Sequence, residues 1–267
     1  MLLENYPHVT FKPNPREPYL ARAWPFEPSD TEYLYEANLK RQPDTWYYRT
    51  HTVTYTWNSN GYRAPEWPEV AWADSYVILG CSHVVGIGVA YEDTLGEQLS
   101  RLLGAPVVNL GIGGSSSQLM LANSLRLIDA GIRPKGVITV EPQLERAVYW
   151  QGLEYHSMIA NQRKQDFDLI IQAWYEAYLR YPPMAERSGY MAMRSIQALW
   201  QSVAVPIYMS YYSQHPTSPE YNQGLFLPPR QDYARDIDIV GGNMIGHFGP
   251  KTLGSWARAL AGLIQSA

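Results

Sequence analysis

One cysteine, Cys81, stands in the 267-residue chain, so no intrachain disulfide can form and the fold must rest on its packed core. No apolar run is long enough to span a bilayer, and no secretory-type apolar stretch follows the first methionine. The expectation is a soluble protein, cytoplasmic or else particle-associated or released by lysis, with no membrane partner. Positive charge is not in excess: the formal net charge of −4 predicts no attraction to nucleic acid. No cluster of His, Cys and carboxylates has metal-ligand spacing, so no metal and no cofactor are expected. There is no Gly-Lys-Ser/Thr phosphate loop and no internal repeat. Phenylalanine is scarce, with 5 residues against 21 Tyr and 9 Trp. Tyr and Trp pair an apolar body with a polar tip, which suits a half-wet binding groove as well as an irregular packing layer.

What is present divides the chain in two. Hydrophobic residues at 46% can fill a sizeable core, and the length suits one domain with an extension. Residues 1–70 read as an N-terminal extension packed on a main domain of residues 71–267. Prolines 7, 13, 15, 18, 25 and 28 argue against long helices early in the extension. Between Thr50 and Trp57, Thr alternates with His51, Val53, Tyr55 and Trp57, a period of two that predicts a half-buried strand. Asn58-Ser59-Asn60-Gly61 then supplies turn chemistry.

From about residue 75 strands alternate with helices. Strands are expected at Tyr76–Leu79, Pro106–Leu110, Val137–Val140 and Val205–Met209. Helices are expected at Thr94–Leu103, with Leu95, Leu99, Leu102 and Leu103 on one side, at Gln118–Ala130, and at Lys251–Ile264. Gln162–Tyr181 and Met184–Ser202 read as two more, broken by Pro182-Pro183. Short apolar strands between helices imply an α/β fold whose parallel sheet is covered on both faces.

Three turns carry candidate chemistry. Gly80-Cys81-Ser82 closes the first apolar strand and opens a Gly-spaced stretch, His83-Val84-Val85-Gly86-Ile87-Gly88. A serine there lies in the crevice at the carboxyl ends of the strands, where backbone N–H groups can hold a developing negative charge. Val84 stands where an α/β-hydrolase nucleophile elbow requires glycine, so that motif is excluded. Asn109-Leu110-Gly111-Ile112-Gly113-Gly114 is a second Gly-rich turn; its third dinucleotide-fingerprint position is Ser116, which excludes that fingerprint as well. His247-Phe248-Gly249-Pro250 precedes the last helix. His247 is a candidate base for Ser82, with His215 as its competitor, while His83 is too close in sequence to reach around.

Taken together, these blocks resemble the SGNH/GDSL hydrolase superfamily over about residues 58–150 and 203–266. Gly80-Cys81-Ser82 corresponds to the Gly-Asp-Ser block, with Cys81 in place of the Asp. Asn109 with its following glycines corresponds to the second block, and His247 to the last. Asn58-Ser59-Asn60-Gly61-Tyr62-Arg63 is similar to a lead-in found in some branches. The third block, Gly-x-Asn-Asp, is absent; Val140-Glu141-Pro142-Gln143 stands in its place. Met244 occupies the position of the usual Asp three residues before the His. The nearest upstream carboxylates are Asp236 and Asp238, and Ile239–Gly246 reads as an insertion that could fold one of them back onto His247, bending at Gly241, Gly242 or Gly246.

The resemblance implies a flavodoxin-like three-layer α/β/α sandwich, preceded by an irregular aromatic and Pro-rich extension containing β structure. It implies a serine esterase or deacetylase working through an acyl-enzyme, on a carbohydrate or small-molecule ester. Ser82 would be the nucleophile, His247 the base, and Asp236 or Asp238 its orienting carboxylate. The N–H groups of Ser82 and Gly114, with Gln143 replacing the missing Asn, would form the oxyanion hole. Asn109 and His83 are the candidate binding residues, and the Tyr/Trp-rich extension would form one wall of the groove. A catalytically decayed binding module and an O-acyltransferase are the competing readings. A paired-carboxylate glycosidase is disfavoured, since only Glu141 and Glu145 follow the third strand.

Overall fold

The computed structural model describes residues 23–27, 29–151, 154–158, 173, 176–178, 180, 182–211, 225–240 and 242–267. In the extension, β1 (Ala23–Trp24) pairs antiparallel with β2 (Tyr55–Thr56). Between them lies α1 (Glu32–Arg41), whose N-terminus is capped by Thr31 accepting from the Leu34 N–H at 3.2 Å. The strand expected over Thr50–Trp57 contracts to the two residues of β2. Val53, Tyr55 and Trp57 do turn inward and are buried, as the alternation predicts. Toward Thr50 the ladder ends at the Trp24–Tyr55 pair, and these side chains pack with Tyr48, Val85 and Ile87.

The Asn58 turn ties the extension to the main domain. Asn58 Oδ1 accepts from the N–H groups of Asn60 and Tyr62, and its Nδ2 donates to the Pro65 carbonyl at 2.9 Å. The turn delivers Arg63, only 1% exposed, beneath the loop that follows Ser82. Its guanidinium donates to the carbonyls of Gly86 (2.6 Å), Thr54 (2.8 Å), Val89 (3.1 Å) and Val85 (3.4 Å).

The main domain is built on β3 (Tyr76–Gly80), β4 (Val107–Gly111), β5 (Gly136–Glu141), β8 (Ile207–Tyr211) and β9 (Leu225–Phe226). All pairs are parallel, in the spatial order β4-β3-β5-β8-β9. Counted along the chain, that order is 2-1-3-4-5, the flavodoxin-like arrangement, with the chain reversing its direction of winding between β3 and β5. Two hairpins decorate the sheet: β6 (Ala147–Gln151) with β7 (Glu154–Met158), and β10 (Asp238–Val240) with β11 (Asn243–Ile245).

Helices cover both faces. On one side, α3 (Leu95–Leu103) and α6 (Pro250–Gln265) bury Leu95, Leu99, Trp256 and Leu260 against Ile78 and Ile138. On the other, α4 (Ser117–Asp129) and α5 (Pro182–Ser202) bury Leu119, Met193 and Trp200 against Val77, Leu79 and Val137. The short α2 (Ser82–Val85) caps the end of β3. Leu102, expected on the apolar side of α3, turns out to solvent at 42% exposure, while Leu103 packs inward. Pro182 and Pro183 form the first turn of α5, where a missing N–H costs nothing. The expected helix over Gln162–Tyr181 lies largely outside the described residues, as does His215. Among the described residues no helix is long and apolar enough to cross a membrane.

Arg63 supplies the testable consequence. Replacing it with Met leaves several buried carbonyls without donors, and hydrogen bonds to a charged group contribute about 1.5–3 kcal/mol each. The expected outcome is a loss of about 3 kcal/mol, read as a lower urea midpoint at unchanged slope.

Candidate active site

The site lies at the carboxyl ends of β3, β4 and β5. Ser82 is half-buried and begins α2 directly after the buried, unoxidised Cys81. Its carbonyl accepts from the N–H groups of Gly86 and Ile87, which curls the loop tightly. Its own N–H and Oγ donate to no group among the described residues. The loop lies so close to β4 that a Cβ on Gly111 would meet the Val85 nitrogen at 2.6 Å. Asn109 fixes this contact: Nδ2 donates to the Val84 carbonyl at 2.6 Å, and Oδ1 accepts from the Gly111 N–H at 2.9 Å. Both ends of its amide are thus spent on the two Gly-rich turns.

His247 enters from the loop before α6. Asp232 anchors that helix by accepting from the N–H groups of Lys251 and Thr252, both at 2.9 Å. Asp236 grips His247 twice. Oδ1 accepts from its backbone N–H at 3.1 Å, and Oδ2 lies 2.5 Å from Nδ1. A carboxylate can only accept, so Nδ1 carries a proton, and in the neutral imidazole Nε2 is the acceptor. The insertion between them is the β10–β11 hairpin. Its register pairs Asp238 with Ile245, and two positions further along the same register Asp236 faces His247. Asp238 is not brought to the histidine; its carboxylate accepts from the neighbouring Ile239 N–H at 2.7 Å.

His83 links the two halves. Its ring stacks on Phe248 (centroids 4.1 Å apart) and meets the His247 ring edge-on at 5.0 Å. Burial holds the His83 imidazole well below its ordinary pKa, and the nearby His247, Arg146 and Arg230 lower it further. The neighbour of Ser82 is therefore a neutral aromatic wall. The structure does not bring Ser82 Oγ within hydrogen-bond distance of His247.

The far end of the second Gly-rich turn offers a donor. Gly114 sits half-buried with φ +70°, and its N–H donates to no group among the described residues. Gln143, two residues beyond β5, has its Oε1 engaged by Nε and Nη2 of Arg146, both at 3.2 Å. Arg has only donors, so this fixes which end of the amide is oxygen and leaves Nε2 as a donor.

An aromatic cleft of about 370 Å³ adjoins the Asp236 loop. Trp46, Tyr47 and Tyr48 of the extension line one side, and Tyr233, Ile237 and Met244 the other. Neither Ser82 nor Asp236 nor His247 lines this cleft. Among the described residues, no three His, Cys, Asp or Glu side chains group as a metal site would require.

Sequence reading missed the supports. Asp30, paired with Arg235, lies 205 positions away from it. Only the cation directly before the candidate Asp236 hinted at a partner.

No protein-family model matches the chain, and no curated protein matches it. Among solved structures, the chain is similar to a protein of Desulfitobacterium hafniense DCB-2, provisionally described as a lipolytic protein of the G-D-S-L family. The two share 10% sequence identity over 71% of this chain and 99% of that one, with a TM-score of 0.39. That likeness is too low to carry an assignment.

The buried His83 sets a pH dependence. Its pKa in the folded protein lies below the ordinary 6.5 of an unfolded chain. Between those values the unfolded state binds the extra proton. The contribution is therefore complete above about 6.5 and is lost as pH falls through that window. Urea midpoints of the parent protein are expected to fall between pH 7 and 5 more steeply than those of His83→Asn.

Proposed function

We propose that the protein is a serine ester hydrolase acting through an acyl-enzyme. The observation that carries this reading is the Asp236–His247 pair, whose imidazole lies 5.0 Å from the ring of His83, the residue after Ser82. In the reaction, Ser82 Oγ attacks the ester carbonyl while its proton passes to His247 Nε2. Asp236 stabilises the resulting imidazolium without taking the proton. The N–H groups of Ser82 and Gly114 and the Gln143 amide hold the oxyanion. His247 then returns its proton to the leaving alcohol, and water attacks the acyl-enzyme by the same route. The separation of Ser82 Oγ from His247 is compatible with this, since catalytic hydrogen bonds often tighten only around substrate.

For the substrate we favour an O-acylated carbohydrate, because Trp46 lines a cleft next to the Asp236 loop, and sugar rings stack on such side chains. The open Ser82–His247 gap favours one alternative, a non-catalytic binding module on the same fold. An O-acyltransferase differs from the hydrolase only in whether an alcohol outcompetes water for the acyl-enzyme.

A fluorophosphonate probe is expected to label Ser82 in the parent protein and not in Ser82→Ala, which also loses ester hydrolysis. Asp236→Asn is expected to lower kcat by about 10³–10⁴-fold. Asp238→Asn should hydrolyse the ester at close to the parent rate. Absence of labelling in folded parent protein would move the assignment to the binding module. Trp46→Ala is expected to raise KM for an acetylated oligosaccharide while leaving that for a small phenyl ester near the parent value.

A further inference from the structure

We propose that the N-terminal extension is a working part of the site, and that the buried Asp30–Arg235 ion pair with Asn38 is the positioning device that aims Asp236 at His247. This rests on the reading of Asp236 as the orienting carboxylate of a serine hydrolase.

Arg235 immediately precedes Asp236. Its Nε lies 3.1 and 3.2 Å from the two Asp30 oxygens, and its Nη2 lies 2.6 Å from Oδ2. Nη2 also donates to the Pro25 carbonyl. The guanidinium lies over the Phe26 ring at 4.6 Å and the Tyr35 ring at 5.2 Å. The side chains of the pair are 4% and 0% exposed. Every one of these partners comes from the extension.

The backbone on both sides of Asp236 is held as well. Asn38 Nδ2 donates to the carbonyls of Arg235 (3.1 Å) and Ile237 (2.7 Å), the residues flanking Asp236. The Arg235 N–H donates to the Gly88 carbonyl at 2.9 Å. With its two neighbours fixed, Asp236 keeps one freedom, its side-chain torsions, and its carboxylate meets His247 with both oxygens.

Two features favour positioning over simple stabilisation. A buried ion pair contributes little net stability compared with apolar residues of the same volume, so its value lies in direction. Asn38 is fully buried, and its Oδ1 finds no hydrogen-bond partner among the described residues. An orphaned buried acceptor is costly. Flipping the amide would satisfy neither carbonyl, so the cost is borne to hold the two peptides around Asp236. The network also reaches the serine loop. Tyr55 donates to Asp30 Oδ2 at 2.5 Å and accepts from the Gly88 N–H at 2.7 Å. Burial, with Asp30 beside it, keeps the Tyr55 phenol protonated for this task.

The test uses full-length protein and Asp30→Asn, which preserves shape and removes the charge. Steady-state hydrolysis of a small fluorogenic ester is expected to show kcat down about 10–10²-fold with KM near the parent value, the scale of loss for a small misplacement. In an Asp236→Asn background the same change is expected to add no further loss, because the device has nothing left to aim. Proton NMR supplies a readout independent of turnover. The His247 Nδ1–H resonance is expected far downfield in the parent protein and shifted upfield or lost in Asp30→Asn. Should Asp30→Asn fail to fold, Tyr55→Phe takes its place with the same signs. A folded variant with parent kcat and an unmoved Nδ1–H resonance overturns the proposal, as does an equal loss in the Asp236→Asn background. Failure of the parent to react with a fluorophosphonate would instead overturn the hydrolase reading, and the NMR comparison would still decide whether Asp30 aims Asp236.

Discussion

Gly88 is the point through which the rest of this site is held together. Its N–H donates to Tyr55 of the extension, and its carbonyl accepts from Arg235 of the acid-bearing loop. A Cβ there would meet the Ala234 Cβ at 2.8 Å, the Arg235 nitrogen at 2.9 Å and Asp236 Oδ1 at 3.2 Å. Its φ of +72° is also one that side chains resist. Three segments distant in sequence therefore cross within van der Waals contact of one residue that has no side chain. The serine turn, the carboxylate and the extension cannot move independently of it.

Around this crossing, polar and apolar parts divide the work. Arg63 gathers carbonyls that the loop after α2 would otherwise leave without donors, so the loop can be buried without a regular ladder. The neutral His83 and Phe248 form the dry wall between the serine turn and the histidine. In such surroundings, the charge that develops on an imidazole depends heavily on the one carboxylate aimed at it. The extension, which contributes neither Ser82 nor His247, thereby shapes the surroundings of both.

The parts legible in the sequence were those governed by local chemistry. Apolar runs located β3, β4 and β5, and the expected helix starts at Thr94 and Gln118 fall within a residue of those of α3 and α4. Ser82, Gly114 and His247 were visible because turn glycines and a loop histidine mark themselves. What stayed hidden depended on register and distance. Nothing local distinguishes Asp236 from Asp238; the pairing of the β10–β11 hairpin decides between them. Nothing near Arg235 announces Asp30, and a buried arginine looks like a surface one until its partners are known. The β10–β11 strands escaped notice for another reason: Ile239, Val240, Met244 and Ile245 are 43–54% exposed, so they give no inside–outside alternation.

That hairpin gives the site an uneven architecture in time. Asp236 and His247 are only 11 positions apart, so the loop their contact closes is short and its entropic cost small. Ser82 stands on the sheet itself, at the carboxyl end of β3, and the Arg235 contact with Gly88 holds Asp236 to the same loop. The hairpin, two short strands with wet faces, can open and re-form while the sheet beneath it stays intact. On heating, the hairpin strands would then open first, and reversibly, while Asp236 stayed held through Arg235 at the Gly88 crossing.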